Sequence, residues 1–331
     1  MKKRKLGIFS VSSIGLGCMG LSQAYGVQND ETSIRTLHRA VELGVNFFDT
    51  AEVYGPWRNE SLLGKALRPY RHEITIATKF GFTFNRERTD FGEITGTNGT
   101  PKNARSVAEA SLKRLQTDVI DLYYLHRVDP AVPIEESIEA MAQLVNDGKV
   151  RAIGLSEVSA ETLRRAHKIH PITAVQSEYS LWTRDVEKNG ILDACRELGI
   201  SFVPFSPLGR GFLTGKMPSL EMLEPEDLRH TLPRFQTENI DANRKLVMVI
   251  EDIASNKGIT AAQLALAWLL AKGENIIPIP GAKRIDHLEQ NFKATSIEIT
   301  KEECCLLDKT FSPENISGER YSSVFKAMTQ K

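Results

Sequence analysis

The sequence predicts an α/β protein of the (β/α)8 barrel class. Three observations carry that prediction. Short apolar runs alternate with segments of helical periodicity from residue 13 onward, they recur at an interval of roughly thirty residues, and the chain of 331 residues has the length of one such barrel. The first four runs are "SIGLGC" (13–18), "NFFDT" (46–50), "ITIATKF" (74–80) and "VIDLYYLH" (119–126). The other four are "VRAIGLS" (150–156), "AVQSEYS" (174–180), "SFVPFSP" (201–207) and "IIPIP" (276–280). They are rich in Val, Ile, Phe and Tyr, and several are apolar on both faces, as strands of a covered parallel sheet should be.

Between the runs lie helical patterns. "NDETSIRTLHRAVELG" offers Asn29, Asp30 or Thr32 as its cap and Gly44 as its stop. "PKNARSVAEASLKRLQ", "PIEESIEAMAQLVNDGK", "SAETLRRAHKIH", "EKNGILDACRELG" and "TAAQLALAWLLAKG" follow the same plan. Three pieces stand outside the repeat. Residues 1–12, with "RKLGIFSVS", are expected to form a hairpin closing the barrel bottom. Residues 208–259 insert a long charged loop and an extra helix, and a loop of that length in a compact domain usually serves function. Residues 310–331 form a tail. No linker-like boundary appears, so the expectation is a single domain over 1–331.

Composition narrows the function. Lys plus Arg and Asp plus Glu both number 42, so no global field favours nucleic acid or an acidic membrane, and the expected partner is a small molecule. Cys18, Cys195, Cys304 and Cys305 form no C-x-x-C pair and no metal-like spacing. They read as thiols of a reducing compartment, and no metal site is expected. "MKKRK" followed by an apolar stretch and Cys18 resembles an export signal, but Ser10, Ser12 and Ser13 interrupt it, and the region reads better as a barrel strand. The expected location is the cytoplasm. Oligomeric state is left open.

Gly15-x-Gly17-x-x-Gly20 matches the spacing of a dinucleotide fingerprint. That fingerprint needs a helix opening at its third glycine, whereas "LSQAYGVQN" intervenes before periodicity begins near Glu31. In a barrel these glycines instead let the first strand and its loop approach a ligand closely.

The chemistry-bearing residues sit at successive strand ends. Asp49 opens "DTAEVYG" with Tyr54 five residues later, Lys79 ends the third run, and His126 ends the fourth. Each would project from the C-terminal rim, where barrel enzymes build their sites. Tyr54 is a poor acid at neutral pH because its unperturbed pKa is about 10. The expectation is that Lys79 lowers this value by favouring the phenolate, Asp49 keeps Lys79 charged and oriented, and His126 hydrogen-bonds the substrate oxygen. Taken singly, each residue has a bland structural explanation; four at successive strand ends point to acid–base work on a carbonyl.

"GVNFFDTAEVYG", "ITIATKFGF", "LYYLHRVD", "GLSEVSAETL", "AVQSEYSLW", "PFSPLGRGFLTGK" and "IPIPGAKRIDHLEQN" resemble, in order, the motifs of the aldo-keto reductase superfamily. The branch most like this chain contains perakine-type and pyridoxal-type aldehyde reductases. The resemblance covers about residues 5 to 310 and implies an NADPH-dependent reductase of aldehydes or ketones. It makes Tyr54 the proton donor, Lys79 and Asp49 its modulating pair, and His126 the orienting residue. It also implies an extended nicotinamide nucleotide across the rim. Gly17, Met19 and Asp49 would line the site, Ser156 and Gln176 would hold the carboxamide, and Phe205 would stack on the ring. Ser206, Pro207, Leu208, Gly209, Arg210 and Gly211 would form the pyrophosphate loop under Lys216. Gly281, Lys283, Arg284, His287, Gln290 and Asn291, with Arg229 from the long loop, would take the adenosine and its 2′-phosphate.

Departures from the family pattern accompany the matches. Glu157 stands where many relatives carry Asn, so a carboxylate either turns away from the carboxamide or changes how it is held. Gly281-Ala282 replaces a Lys-Ser pair. The expected substrate wall is Tyr54, Trp57, His126 and Trp182, with Phe80 or Phe82 joining it. Two rival readings are a cofactor-sensing subunit resembling potassium-channel β-subunits and an NAD-preferring alcohol dehydrogenase.

Overall fold

The computed structural model describes residues 2–85, 94–322, 326, 328 and 329. Of the tail expected over 310–331, residues 323–325, 327, 330 and 331 lie outside the described residues.

Strands β1 (Lys3–Leu6) and β2 (Phe9–Ser12) pair antiparallel around Gly7, whose φ of 57° suits the tight turn. Leu6 and Val11 point from this hairpin into the barrel interior, where they pack with Phe47, Ala77, Leu122, Tyr124 and Val203. The expected bottom closure is therefore formed by two apolar side chains. Arg4 fastens it by donating to the carbonyls of Leu270 (2.8 Å) and Gly273 (2.7 Å).

The barrel strands follow as β3 (Leu16–Gly17), β4 (Phe47–Asp49) and β5 (Thr75–Phe80). A short antiparallel hairpin, β6 (Phe82–Phe84) with β7 (Ile94–Thr97), comes next. The barrel resumes with β8 (Ile120–Leu125), β9 (Val150–Ser156), β10 (Ile172–Glu178) and β11 (Ser201–Phe205). The parallel sheet runs β11-β10-β9-β8-β5-β4-β3, so each barrel strand lies beside the next in sequence.

The eighth stave, expected over 276–280, is assigned no strand, for a covalent reason. Ile277 and Ile279 donate to Phe202 and Pro204 (2.9 and 3.0 Å) on one side. On the other, Pro278 and Pro280 accept from Gly15 and Gly17 (2.9 and 3.2 Å) but have no N–H to return. Half a ladder closes the barrel. Gly15 and Gly17 serve this closure too: a Cβ on Gly15 would lie 2.5 Å from the Phe47 ring, and one on Gly17 would lie 2.7 Å from the Ile279 carbonyl. Gly15 thus makes room for packing and not for a ligand, a correction to the sequence expectation.

The first helix, Asp30–Glu42, is capped by the Asn29 side chain and followed by Gly44 at φ 84°. Residues 208–259 contain four short 3-10 turns and a long helix, Thr237–Asn256, the extra helix expected there. No helix is long and apolar enough to cross a membrane among the described residues.

Candidate active site

Asp49 and Lys79 occupy the C-terminal ends of β4 and β5, His126 follows the last residue of β8, and Tyr54 stands on the turn after β4. Backbone bonds register that turn against its neighbour: Thr50 donates to Ala77 (2.8 Å), Glu52 to Lys79 (3.3 Å) and Tyr54 to Ala51 (3.1 Å). The Asn59 amide ties the turn down further, accepting from Thr50 Oγ1 (2.6 Å) and donating to the Cys18 carbonyl (2.9 Å). Gln23 Oε1 accepts from Gly55 N–H (2.5 Å), in the left-handed bend at φ 60° just after Tyr54.

Lys79 is the hub of the site. Fully buried, its ammonium donates to Asp49 Oδ1, to the Thr50 carbonyl (2.8 Å) and to the Tyr54 hydroxyl (3.2 Å). The second Asp49 oxygen accepts from Gln176 Nε2 at 2.7 Å. Burial works against a charge on Lys79, but Asp49 and the phenol oxygen outweigh it and push its pKa above the ordinary lysine value. Burial likewise pushes the Asp49 carboxyl up, against the opposing pull of Lys79.

The expectation that Lys79 makes Tyr54 more acidic than a free phenol needs correction. Burial raises the Tyr54 pKa, Asp49 adds to the rise, and the pull of Lys79 does not overcome them. The phenol therefore holds its proton at neutral pH. His126 lies edge-on to Tyr54 with ring centroids 5.8 Å apart, and it packs against Phe82 at 4.6 Å. Burial and the nearby Lys79 and Arg127 cations push its pKa well below that of free histidine, so its imidazole is neutral.

These groups lie at the floor of a cavity of about 930 Å³. Its wall contains Tyr54, Asp49 and His126, and also Gly17, Met19, Ser156, Gln176 and Phe205. It continues along Ser206, Pro207, Leu208, Arg210, Gly211 and Lys216 to Arg229, Gly281, Lys283, Arg284, His287, Gln290 and Asn291. Gly209 is outside this wall, because its bare Cα packs on Trp182, 3.0 Å from where a Cβ would stand. Lys79 lies behind Tyr54, shielded from the cavity.

Two expected wall residues are elsewhere. Trp182 is buried, with its ring stacked on Phe212 at a centroid distance of 4.0 Å. Trp57 adopts a left-handed φ of 67° and meets Phe84 edge-on. Neither belongs to the cavity wall. Phe82 does belong to it, whereas Phe80 stacks on Tyr123 in the core.

The cations at the far end are engaged locally. Lys283 donates to the carbonyls of Tyr25 (2.5 Å) and Val27 (2.7 Å), and Arg284 pairs with Asp286 at 2.5 Å. Arg229 pairs with Asp227 at 2.7 Å and lies over the Tyr25 ring. Lys216 is exposed. The carboxylate of Glu157 pairs with Arg320 at 2.5 Å.

Sequence reasoning missed Arg127, Gln23, Tyr25, Ile94 and Tyr321, all of which face the cavity. Arg127 donates to Ser156 Oγ at 3.1 Å, joining the end of β8 to that of β9. Its adjacency to His126 was the one available signal.

Comparison with known proteins agrees with this geometry. Residues 13–310 match the aldo/keto reductase family. A probable aldo-keto reductase of Glycine max is 47% identical over 321 residues, covering 96% of this chain and 91% of the relative. Among solved structures, a glycerol dehydrogenase of Gluconobacter oxydans superposes with a TM-score of 0.86 at 28% identity, covering 97% of this chain and 98% of that one. An aldo/keto reductase of Klebsiella pneumoniae, bound to NADP and acetate, gives 0.72 at 25% identity with 95% of both chains covered. A thermostable aldo-keto reductase bound to epalrestat gives 0.75 at 32% identity, covering 94% of this chain and all of the other (100%). The chain is an oxidoreductase of the aldo/keto reductase family.

Proposed function

We propose that this protein reduces aldehydes or ketones to alcohols with NADPH, with Tyr54 as the general acid. The observation that carries the reading is the Lys79 ammonium, hydrogen-bonded at once to Asp49 and to the Tyr54 hydroxyl at the floor of the cavity.

The cavity fits an extended nucleotide by its chemistry. Ser156, Gln176 and Phe205 lie near the acid–base cluster and would hold the nicotinamide. Beyond them Ser206, Gly209, Arg210 and Gly211 all have positive φ, between 49° and 97°, and such bends turn backbone N–H groups toward an anion. That segment, with Lys216, would hold the pyrophosphate. Lys283, Arg284, His287, Gln290, Asn291 and Arg229 would take the adenosine end. NADPH, when bound, supplies the hydride for the carbonyl carbon.

The chain's own groups do the rest. Tyr54 arrives protonated, as any phenol with a pKa of about 10 or above is at neutral pH, and gives that proton to the oxygen as negative charge develops there. Lys79, 3.2 Å away, stabilises the phenolate left behind. Gln176 fixes Asp49, and Asp49 fixes Lys79. Neutral His126 donates a hydrogen bond to the same oxygen without titrating near neutral pH.

One observation favours a second reading, an NAD-preferring dehydrogenase. Lys283 is held by backbone carbonyls and Arg284 by Asp286, so a 2′-phosphate must compete for both. A panel of carbonyls that includes 4-nitrobenzaldehyde, assayed with NADPH and then with NADH, tests both readings. Faster turnover at lower KM with NADPH is expected. A preference for NADH replaces the cofactor assignment, and tight nucleotide binding without turnover of any carbonyl removes the reductase.

A further inference from the structure

One arginine of the cavity wall differs from the others. Arg210 pairs with Glu178 at 3.1 Å, Arg229 with Asp227 at 2.7 Å and Arg284 with Asp286 at 2.5 Å. Arg127 pairs with no carboxylate among the described residues. It is only 8% exposed, so bulk water does little to stabilise its charge.

The chain places this cation beside the acid–base cluster. Arg127 comes directly after His126, and its Nη1 donates to the His126 carbonyl (2.6 Å) and to Ser156 Oγ (3.1 Å). Its guanidinium carbon lies 5.4 Å from the centre of the Phe82 ring, which itself packs on His126. Two bonds on one nitrogen fix the guanidinium plane. Nε and Nη2 make no hydrogen bond among the described residues, yet neither is sealed inside the protein.

A buried cation without a counter-ion is costly, and a bound anion offsets that cost. Nε and Nη2 form one edge of the guanidinium, and a carboxylate matches such an edge with two parallel hydrogen bonds. Val53, Phe82 and Ile94 line the same cavity, and attraction among apolar neighbours is screened less than at the surface. Asp49 does not serve as the counter-ion, because Lys79 and Gln176 already hold it. Burial, Lys79 and then Arg127 hold the His126 pKa down, so the Arg127 charge reaches the residue that is to meet the carbonyl oxygen.

We propose that Arg127 receives a carboxylate carried by the substrate, so that the preferred carbonyls are oxo acids, whose carboxylate stands apart from the aldehyde or ketone. The proposal rests on the reading that a carbonyl is reduced at Tyr54, and it names the substrate class of that site. The reacting oxygen stays with Tyr54 and His126, and the carboxylate takes a separate place on Arg127. A neutral aldehyde of similar shape leaves the guanidinium without a partner.

The test pairs 4-oxobutanoate with butanal and 4-carboxybenzaldehyde with benzaldehyde, each with NADPH, in wild type, Arg127→Met and Arg127→Lys. For at least one of the two spacings, wild-type kcat/KM should favour the acid roughly tenfold or more, the scale of a hydrogen-bonded charge. Arg127→Met should abolish that preference, and Arg127→Lys, which keeps the charge without the fork, should retain part of it. Equal kcat/KM within both pairs in wild type would overturn the proposal and leave the reductase reading intact, and this comparison decides the case even if Arg127→Met does not fold. An Arg127→Met variant that keeps the preference would overturn it too. So would one that slows all four aldehydes by a common factor while weakening the NADPH Kd from fluorescence titration, since Arg127 would then serve the nucleotide through Ser156. Wild-type protein inactive on all four aldehydes would overturn the reductase reading and the substrate class with it.

Discussion

At the Tyr54 end of the cavity, each functional side chain comes from the last residues of a strand or the turn after it. At the Lys283 end, the polar groups come from loops and from the helix Ile285–Lys293. Lys79 and Asp49 are buried, mutually bonded and backed by Thr50 and Gln176. Arg284 and Asp286 are exposed and bonded chiefly to each other. The difference is one of dielectric. Inside the barrel a charge has no alternative to its partner, so each group is held in one arrangement and its proton affinity is shifted. At Arg284 and Asp286 water competes for both charges, and a ligand can replace the local partner at small cost. On the proposed function, chemistry lies where positions are fixed and nucleotide affinity where partners can be exchanged.

The comparison breaks most visibly if the buried pair proves dispensable. Replacing Lys79 with Met leaves Asp49 buried beside an apolar side chain, which should cost about 3–5 kcal/mol of stability along with nearly all carbonyl reduction. Urea unfolding of the variant measures the first effect. A loss below about 1 kcal/mol, the scale of an exposed pair, would mean that the interior does not isolate these charges.

A smaller effect comes from His126. Its pKa is depressed in the folded protein, so below about pH 6.5 the unfolded chain takes up a proton that the native state refuses. Stability from this group is complete above the unfolded value and falls with acid, by at most about 1.4 kcal/mol per pH unit. Between pH 6.5 and 5, wild type should lose more stability than His126→Gln. Parallel curves would place His126 in water and not in the site's interior.

The smallest effect is expected at the rim. Asp286→Asn releases Arg284 and should tighten NADPH binding by roughly two- to fivefold, with NADH unchanged. Equal changes for both nucleotides would detach Arg284 from the 2′-phosphate.

How much of this was legible in the sequence follows the same division. The barrel was readable because parallel strands buried on both faces write themselves as apolar runs; Asp49, Lys79 and His126 were readable because they stand at the ends of those runs, and Tyr54 because it follows Asp49 by five residues. The eighth run was apolar enough to find, but Pro278 and Pro280 deny it a full ladder. The β6–β7 hairpin was missed: its alternation in "FTF" is three residues long, too short to register as a strand pattern. Trp57 and Trp182 were misplaced because residue type records size and polarity, while direction depends on φ and on neighbours such as Phe212 and Phe84. The partner of Glu157 lies 163 residues away in Arg320, and no local pattern announces such a pair.

The Tyr54→Phe variant removes the phenolic proton while leaving the ring. With saturating NADPH and a carbonyl that wild type reduces, kcat is predicted to fall at least about a hundredfold, with the NADPH Kd from fluorescence titration within about twofold of wild type. Turnover near the wild-type rate would show that the proton comes from elsewhere and would contradict the assignment.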